Sequence, residues 1–339
     1  MEVPLPKAQI ARIHAEIIEL KKRLNVVIAA HFYQRDEVIE VADIIGDSLD
    51  LARKVVDFPC EAVLFCGVRF MGESVKILAP NKRVIMPKIA CCSMARMIDS
   101  QYFDQSIALL ESYGIAREGV FPLSYINSSA EIKAKVGAMG GLICTSANAG
   151  KIMAKAQESG KKIFFLPDRC LGQNLAHKNA QKSAVLGSST KEQVLEADVV
   201  CYDGFCSVHQ LFTPADVEFF RARFPGILVA VHPECDPSVV QRADFVGSTS
   251  QLAKYVQSLS LEQKVVVGTE YNFVHRLRAE NTYVLSSTRP ECPTMNETTL
   301  GDVLAALRAF EHGGGNEILL SDEVANEARI ALNGMLELS

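Results

Sequence analysis

The sequence contains no GxGxxG turn, no Walker A loop and no cysteine–histidine spacing of the zinc-site kind, so the usual nucleotide and zinc motifs have no local signature in it. An excess of charge is missing too: 35 basic and 40 acidic residues leave a formal net charge of −5. That balance favours neither nucleic acid nor a membrane surface as a partner, whereas small anionic ligands respond to local pockets. No apolar run approaches the roughly 20 residues that a bilayer span needs. The N-terminal stretch reads as an amphipathic helix entering a strand, without the charged start, unbroken apolar core or cleavage site of a signal peptide. A cytoplasmic protein is expected, so its ten cysteines should be thiols, metal ligands or redox groups and seldom structural disulfides.

What is present is an ordinary globular composition, 48% hydrophobic and 22% charged over 339 residues, enough for two or three domains. Within it lies a repeat. The segments "VIAAHFYQRDEVIEVADIIGDSLDLARKV", "FPLSYINSSAEIKAKVGAMGGLICTSANAGKIMAK" and "ILVAVHPECDPSVVQRADFVGSTSQLAKYV" each begin with an apolar run of the kind buried on both faces of a parallel sheet. A polar cluster follows each run: His31 to Tyr33, Tyr125 to Asn127, and His232 to Glu234. Next come a helical pattern, a second strand, a Ser/Thr turn (Ser48; Thr145 and Ser146; Ser248 and Thr249) and another helix. Third strands ("AVLFCGVRFMGES", "KIFFLPDRCLGQN", "KVVVGTEYNFVHR") and fourth strands complete the copies, and each copy ends at a cysteine.

The spacing supports the repeat. His31 to Cys92 is 61 positions and His232 to Cys292 is 60, while Tyr125 to Cys206 is 81, with the excess in "GAMGG" and "AHKNAQKSAVLGSSTK", read as loop expansions. Alternating strands and helices predict an α/β protein of three similar αβα units, each with a four-stranded parallel sheet, arranged about a pseudo-threefold axis. The expected domains are residues 1–95, 96–210 and 211–295, with 296–339 packing back on the body through a last helix capped at Ser321. Ligand sites in such sheets lie beyond the carboxyl ends of the strands, where all the polar clusters fall.

Cys292, between two prolines in "TRPECPTM", would by itself be read as a small buried hydrophobe. The repeat makes it the counterpart of Cys92 and Cys206. Three convergent thiolates bind metal: zinc with a further nitrogen or sulfur, or a cubane cluster that keeps one iron open. Cys60, Cys66, Cys144 and Cys201 lie in or beside apolar strands and should be core. Adjacent side chains on extended backbone point opposite ways, so only one of Cys91 and Cys92 should ligate, and matching "ACCSM" to "GFCSV" selects Cys92. Cys170 and Cys235, in strand-end loops, are the remaining candidates. His209 is read as the start of the next helix.

From about Leu24 to Leu300 the chain resembles the quinolinate synthase family, through "AHFYQ", "ADIIGDSLDLA", "GVRFMGES", "YINSSAEIKA", "TSANA", "PDRCLGQNLA", "GFCSVH", "HPEC", "VGSTSQL" and "CPTM". The resemblance implies three α/β domains around one [4Fe-4S] cluster held by Cys92, Cys206 and Cys292. It also implies condensation of iminoaspartate with dihydroxyacetone phosphate, losing phosphate and two waters, and a functional link to an iminoaspartate-producing enzyme. Tyr33 and Glu234 become the acid–base candidates, with His31 and His232 orienting substrate. Ser48, Tyr125, Asn127, Thr145, Ser146, Ser248, Thr249 and Thr269 become the substrate-binding set, although helix capping would account for several of the hydroxyls. Two competing readings are an iron–sulfur hydro-lyase acting on a small di- or tricarboxylate and a thiol-based sensor. The density of proton-transfer groups disfavours the sensor.

Overall fold

A computed structural model describes residues 6–278 and 280–338, and the helix expected near the N-terminus runs Lys7–Arg23. Three sheets organise these residues. The first is built from β1 (Val26–His31), β2 (Ile44–Gly46), β3 (Ala62–Cys66) and β4 (Arg83–Met86). The second uses β5 (Val120–Tyr125), β6 (Leu142–Cys144), β7 (Lys162–Leu166), β8 (Ser183–Val185) and β9 (Val199–Cys201). The third uses β10 (Leu228–Val231), β11 (Phe245–Val246), β12 (Val265–Gly268) and β13 (Thr282–Val284). Their common order is β2-β1-β3-β4, β6-β5-β7-β9 and β11-β10-β12-β13, parallel throughout. All six residues of β1 and all of β3 and β12 are buried, as expected for strands covered on both faces.

The repeat extends to side chains. Asp43 accepts from the β1 amide of Ile28 (2.9 Å), and Asp244 accepts from the β10 amide of Val229 (2.8 Å). In each case the aspartate amide returns a bond to the same residue's carbonyl, both at 2.8 Å. The pairings tie first and second strands at the same point of two copies.

Two strands depart from the expected four per sheet. β8 lies beside β9 within the stretch read as loop expansion, and β14 (Asn316–Glu317) adds to β4 in antiparallel sense. β8 has three residues and β14 two polar ones, too short for any alternation to show. β14 follows Gly313 and Gly315, whose φ values of 77° and 120° turn the chain in a way that other residues resist.

The chain divides into two compact units. One comprises residues up to Cys92 with Pro293–Leu320 and contains the first sheet. Its helices Lys7–Arg23 and Leu300–Glu311 pack together over Ile28 and Leu64, contributing Ile17, Leu20, Val303 and Leu307. The other comprises Ser93–Cys292 with the chain from Ser321 onward, and contains the second and third sheets. Segment 296–339 is therefore shared: the last helix, Asp322–Glu337, packs on Ala130–Ala138 of the second unit. Gly137 permits this approach, since a Cβ there would sit 2.2 Å from the Glu327 carbonyl oxygen. Ser321 caps that helix as expected, accepting from Val324. No helix among the described residues is long and apolar enough to cross a membrane.

Candidate active site

The three cysteines at the ends of the copies share one backbone arrangement. In each copy the helix after the third strand begins with a residue whose amide donates to a carbonyl two positions before the cysteine. Arg69 donates to Ala90 (2.8 Å), Arg169 to Gly204 (2.8 Å) and Tyr271 to Pro290 (3.0 Å), placing Cys92, Cys206 and Cys292 at equivalent steps. The register singles out Cys92 over Cys91. Glu270 reinforces the third copy, accepting from the Cys292 amide (3.2 Å) and capping helix Tyr271–His275 at Phe273 (3.2 Å). Burial pushes the Glu270 carboxyl up to about 8 despite these two bonds.

The polar clusters also repeat. Tyr33 donates its amide to His31 Nδ1 (3.1 Å), and Glu234 does the same to His232 Nδ1 (3.3 Å). His31 is buried with Tyr33 packed edge-on, ring centroids 4.6 Å apart.

Within the second unit, Glu234 is the centre of a buried network. Tyr125 donates its hydroxyl to Oε1 (2.6 Å), His209 Nδ1 lies 3.1 Å from Oε2, and His232 Nδ1 lies 3.7 Å from Oε1. His209 Nε2 reaches Thr269 Oγ1 (3.0 Å), and its ring stacks on His232 with centroids 4.7 Å apart. Tyr125, His209, His232, Glu234 and Thr269 are each at most 5% exposed. Burial would raise the Glu234 carboxyl, but the His209 and His232 charges, with the bonds from His209 and Tyr125, hold it below the ordinary carboxylate range. The second copy adds a carboxyl of opposite character. Burial and the Glu234 charge push Asp168 well up, although its Oδ1 caps Leu171 at 2.8 Å.

His209 is the residue that sequence reading missed. It does open a short helical turn, His209–Leu211, but its side chain is 1% exposed and bonded at both ring nitrogens. Its partners lie 25 and 60 positions away, beyond any local pattern.

The substrate-binding candidates separate by their bonds. Ser248 forms a capping box with Gln251, and Thr145 Oγ1 is engaged by the Ala147 amide and Asn148. Ser48 begins helix Ser48–Asp57, but the N-cap is Asp47, which accepts from Leu49 and Asp50. Thr249 is buried at the first position of its helix, and Ser146 and Ser48 are half-buried. Asn127 Oδ1 is a buried oxygen with no hydrogen-bond partner among the described residues.

The cysteines fall into two environments, with Cys60 and Cys91 in the same half-buried class as the three that end the copies. Cys92, Cys206 and Cys292 are half-buried thiols. Cys66, Cys144 and Cys201 are core as expected, with burial raising all three thiols, Cys66 to about 12. Cys170 is raised to about 12 by burial and the Asp168 charge, and Cys235 is raised by burial and Glu234, so neither favours a thiolate. Cys60 differs from its core expectation: it is half-buried, with Lys82 Nζ 3.8 Å from its sulfur.

Cys206, His209 and Glu234 offer ligand atoms within 4.8 Å of one another. A zinc ion fits them poorly, because both ring nitrogens of His209 and both oxygens of Glu234 are already in hydrogen bonds.

The family model described as "NadA: Quinolinate synthetase A protein" matches residues 15–337. The quinolinate synthase of Helicobacter pylori is 56% identical over 330 residues, covering 96% of this chain and 98% of its own. That of Alkaliphilus metalliredigens is 41% identical over 327 residues (95% and 97%), and that of Streptomyces coelicolor is 40% identical over 334 (93% and 84%).

Proposed function

The chain belongs to the quinolinate synthase family and shares its activity, and we propose that it condenses iminoaspartate with dihydroxyacetone phosphate, losing phosphate and two waters. The observation that carries the finer reading is the buried Glu234 held by Tyr125, His209 and His232 beside Cys206. Joining two carbon fragments and expelling water requires protons to be removed from carbon and delivered to departing oxygens. A buried carboxylate bonded to an imidazole and a phenol can relay protons between them and a bound substrate, which is the acid–base role assigned to Glu234.

Cys92, Cys206 and Cys292 would hold a [4Fe-4S] cluster, whose one iron without a cysteine supplies Lewis-acid chemistry for a leaving hydroxide. The repeated strand order and the matched amide bonds before each cysteine support the internal likeness of the three copies, on which the pseudo-threefold reading rests. They likewise support domains 1–95, 96–210 and 211–295 as the units of the repeat. Tyr33 is the second acid–base group, and His31 and His232 orient substrate. Asn127, with Ser48, Tyr125, Thr145, Ser146, Ser248, Thr249 and Thr269, binds the carboxylates and phosphate. Because an imine hydrolyses in water, a functional link to an iminoaspartate-producing enzyme in the same cytoplasmic compartment is part of the reading.

The test is anaerobic purification followed by quinolinate assay. Wild type should form quinolinate from the two substrates, and Glu234→Gln should retain iron but lose turnover by about 10² or more. Full turnover in Glu234→Gln would remove Glu234 from the chemistry.

A further inference from the structure

Helix Arg169–Lys178 stands between two loops that the proposed chemistry needs at a fixed separation, and it is bonded to both. Toward the Cys206 loop, the Arg169 amide donates to Gly204, its guanidinium reaches Asp203 Oδ1 (3.0 Å) and lies over the Phe205 ring at 4.7 Å, and Gln210 Nε2 contacts Cys170 Sγ (3.4 Å). Toward the Glu234 loop, one side chain makes two contacts. Asn174 Nδ2 donates to the carbonyls of Pro233 and Cys235, each at 2.9 Å. These are the carbonyls on either side of Glu234. One amide thus ties the peptide entering Glu234 and the peptide leaving Cys235, little more than one helical turn from the contacts that hold the cysteine loop.

We infer that Asn174 is a positioning residue that sets Glu234 against His209 and Tyr125, with helix Arg169–Lys178 yoking the Glu234 loop to the Cys206 loop. The inference rests on the proposed acid–base role of Glu234. Its physical basis is reach: Glu234 Oε1 sits 2.6 Å from the tyrosine oxygen and Oε2 3.1 Å from the imidazole, so small rotations of the 233–235 backbone break both bonds. A misplacement of about 1 Å in a reacting group costs about 10²-fold in rate. Neither amide hydrogen of Asn174 has another role in these contacts, and Asn174 itself touches none of the reacting groups.

The experiment is a double-mutant cycle on anaerobically prepared holoprotein, with iron content and kcat and KM measured for each member. Asn174→Ala should keep full iron content and near-wild-type KM while kcat falls about 10- to 100-fold. Asn174→Leu, which preserves volume but removes both donors, should show the same loss and guards against a packing artefact. In a Glu234→Gln background the further loss on adding Asn174→Ala should shrink to less than about twofold, because a residue acting through Glu234 has nothing left to position. An independent structural role would instead reduce both backgrounds by the same factor, which overturns the inference. Wild-type kcat in both Asn174 variants beside an inactive Glu234→Gln overturns it too, leaving the acid–base reading intact. Full turnover in Glu234→Gln overturns that reading and the inference together.

Discussion

The Tyr125 hydroxyl provides a quantitative test of the Glu234 network. Replacing Tyr125 by Phe keeps a ring that is 5% exposed and deletes only the donor 2.6 Å from Oε1. A hydrogen bond to a buried charged group contributes about 1.5–3 kcal/mol, and loss of the donor leaves the carboxylate less satisfied. At about 1.4 kcal/mol per pKa unit, the Glu234 carboxyl should rise by about 1–2 units. Both groups are nearly fully buried, so solvent screening does not erode the estimate.

The sign follows from linkage. Glu234 is held below its ordinary value in the folded protein, so its contribution to stability is fully present above the unfolded pKa, near 4.3, and is lost as pH falls through the folded value. Tyr125→Phe should therefore lower Tm at pH 7 by about 4–8 °C for a loss near 2 kcal/mol in a unit of this size. The gap between variant and wild type should narrow as pH falls through the variant's folded Glu234 value, which lies below the unfolded one. Calorimetry on the iron-loaded protein across that range is the assay, with quinolinate formation measured in parallel. An equal Tm at pH 7, or a deficit that does not change with pH, would falsify the account of Glu234 as a carboxylate stabilised by this phenol.

Replacing Cys92, Cys206 or Cys292 by Ser should abolish a stable cluster, whereas Cys91→Ser and Cys235→Ala should retain about four irons per chain; full iron loading in Cys292→Ser would contradict the ligand assignment. Tyr33→Phe should keep the iron and lower turnover about 10²-fold, and unchanged kcat would reduce Tyr33 to a packing partner of His31. Asp168 has the opposite linkage to Glu234: its folded value is raised, so its stability contribution is greatest below the unfolded pKa, near 3.9, and declines as pH rises toward the folded value. Asp168→Asn should thus gain in Tm relative to wild type as pH rises above the unfolded value, and a constant difference would show Asp168 to be ordinary.

What the sequence made legible was what the copies have in common. The four parallel strands common to each copy and the equivalent placing of Cys92, Cys206 and Cys292 follow from apolar runs and spacing, because parallel strands buried on both faces must be long enough to register as apolar blocks. β8 and β14 escaped because two or three residues carry no period. The Glu234 network was only half visible, and its missing half shows why. Three positions after each cysteine stand Ala95, His209 and Met295, and five positions after each yoke-like helix start stand Ser74, Asn174 and Arg276. In the first copy Ser74 bonds back to Phe70 of its own helix (2.7 Å), while Asn174 reaches across to Pro233 and Cys235. A position that three related copies fill with unrelated side chains is not required by the shared backbone. Where the odd member is polar and buried, as His209 is, folding alone would have disfavoured it unless its bonds were satisfied. Searching a repeat for its polar exceptions would have found His209 from the sequence, with Met295 and Ala95 as the apolar reference. Asn174 escapes that search, because its counterparts Ser74 and Arg276 are polar as well, and only its reach to Pro233 and Cys235 marks it out.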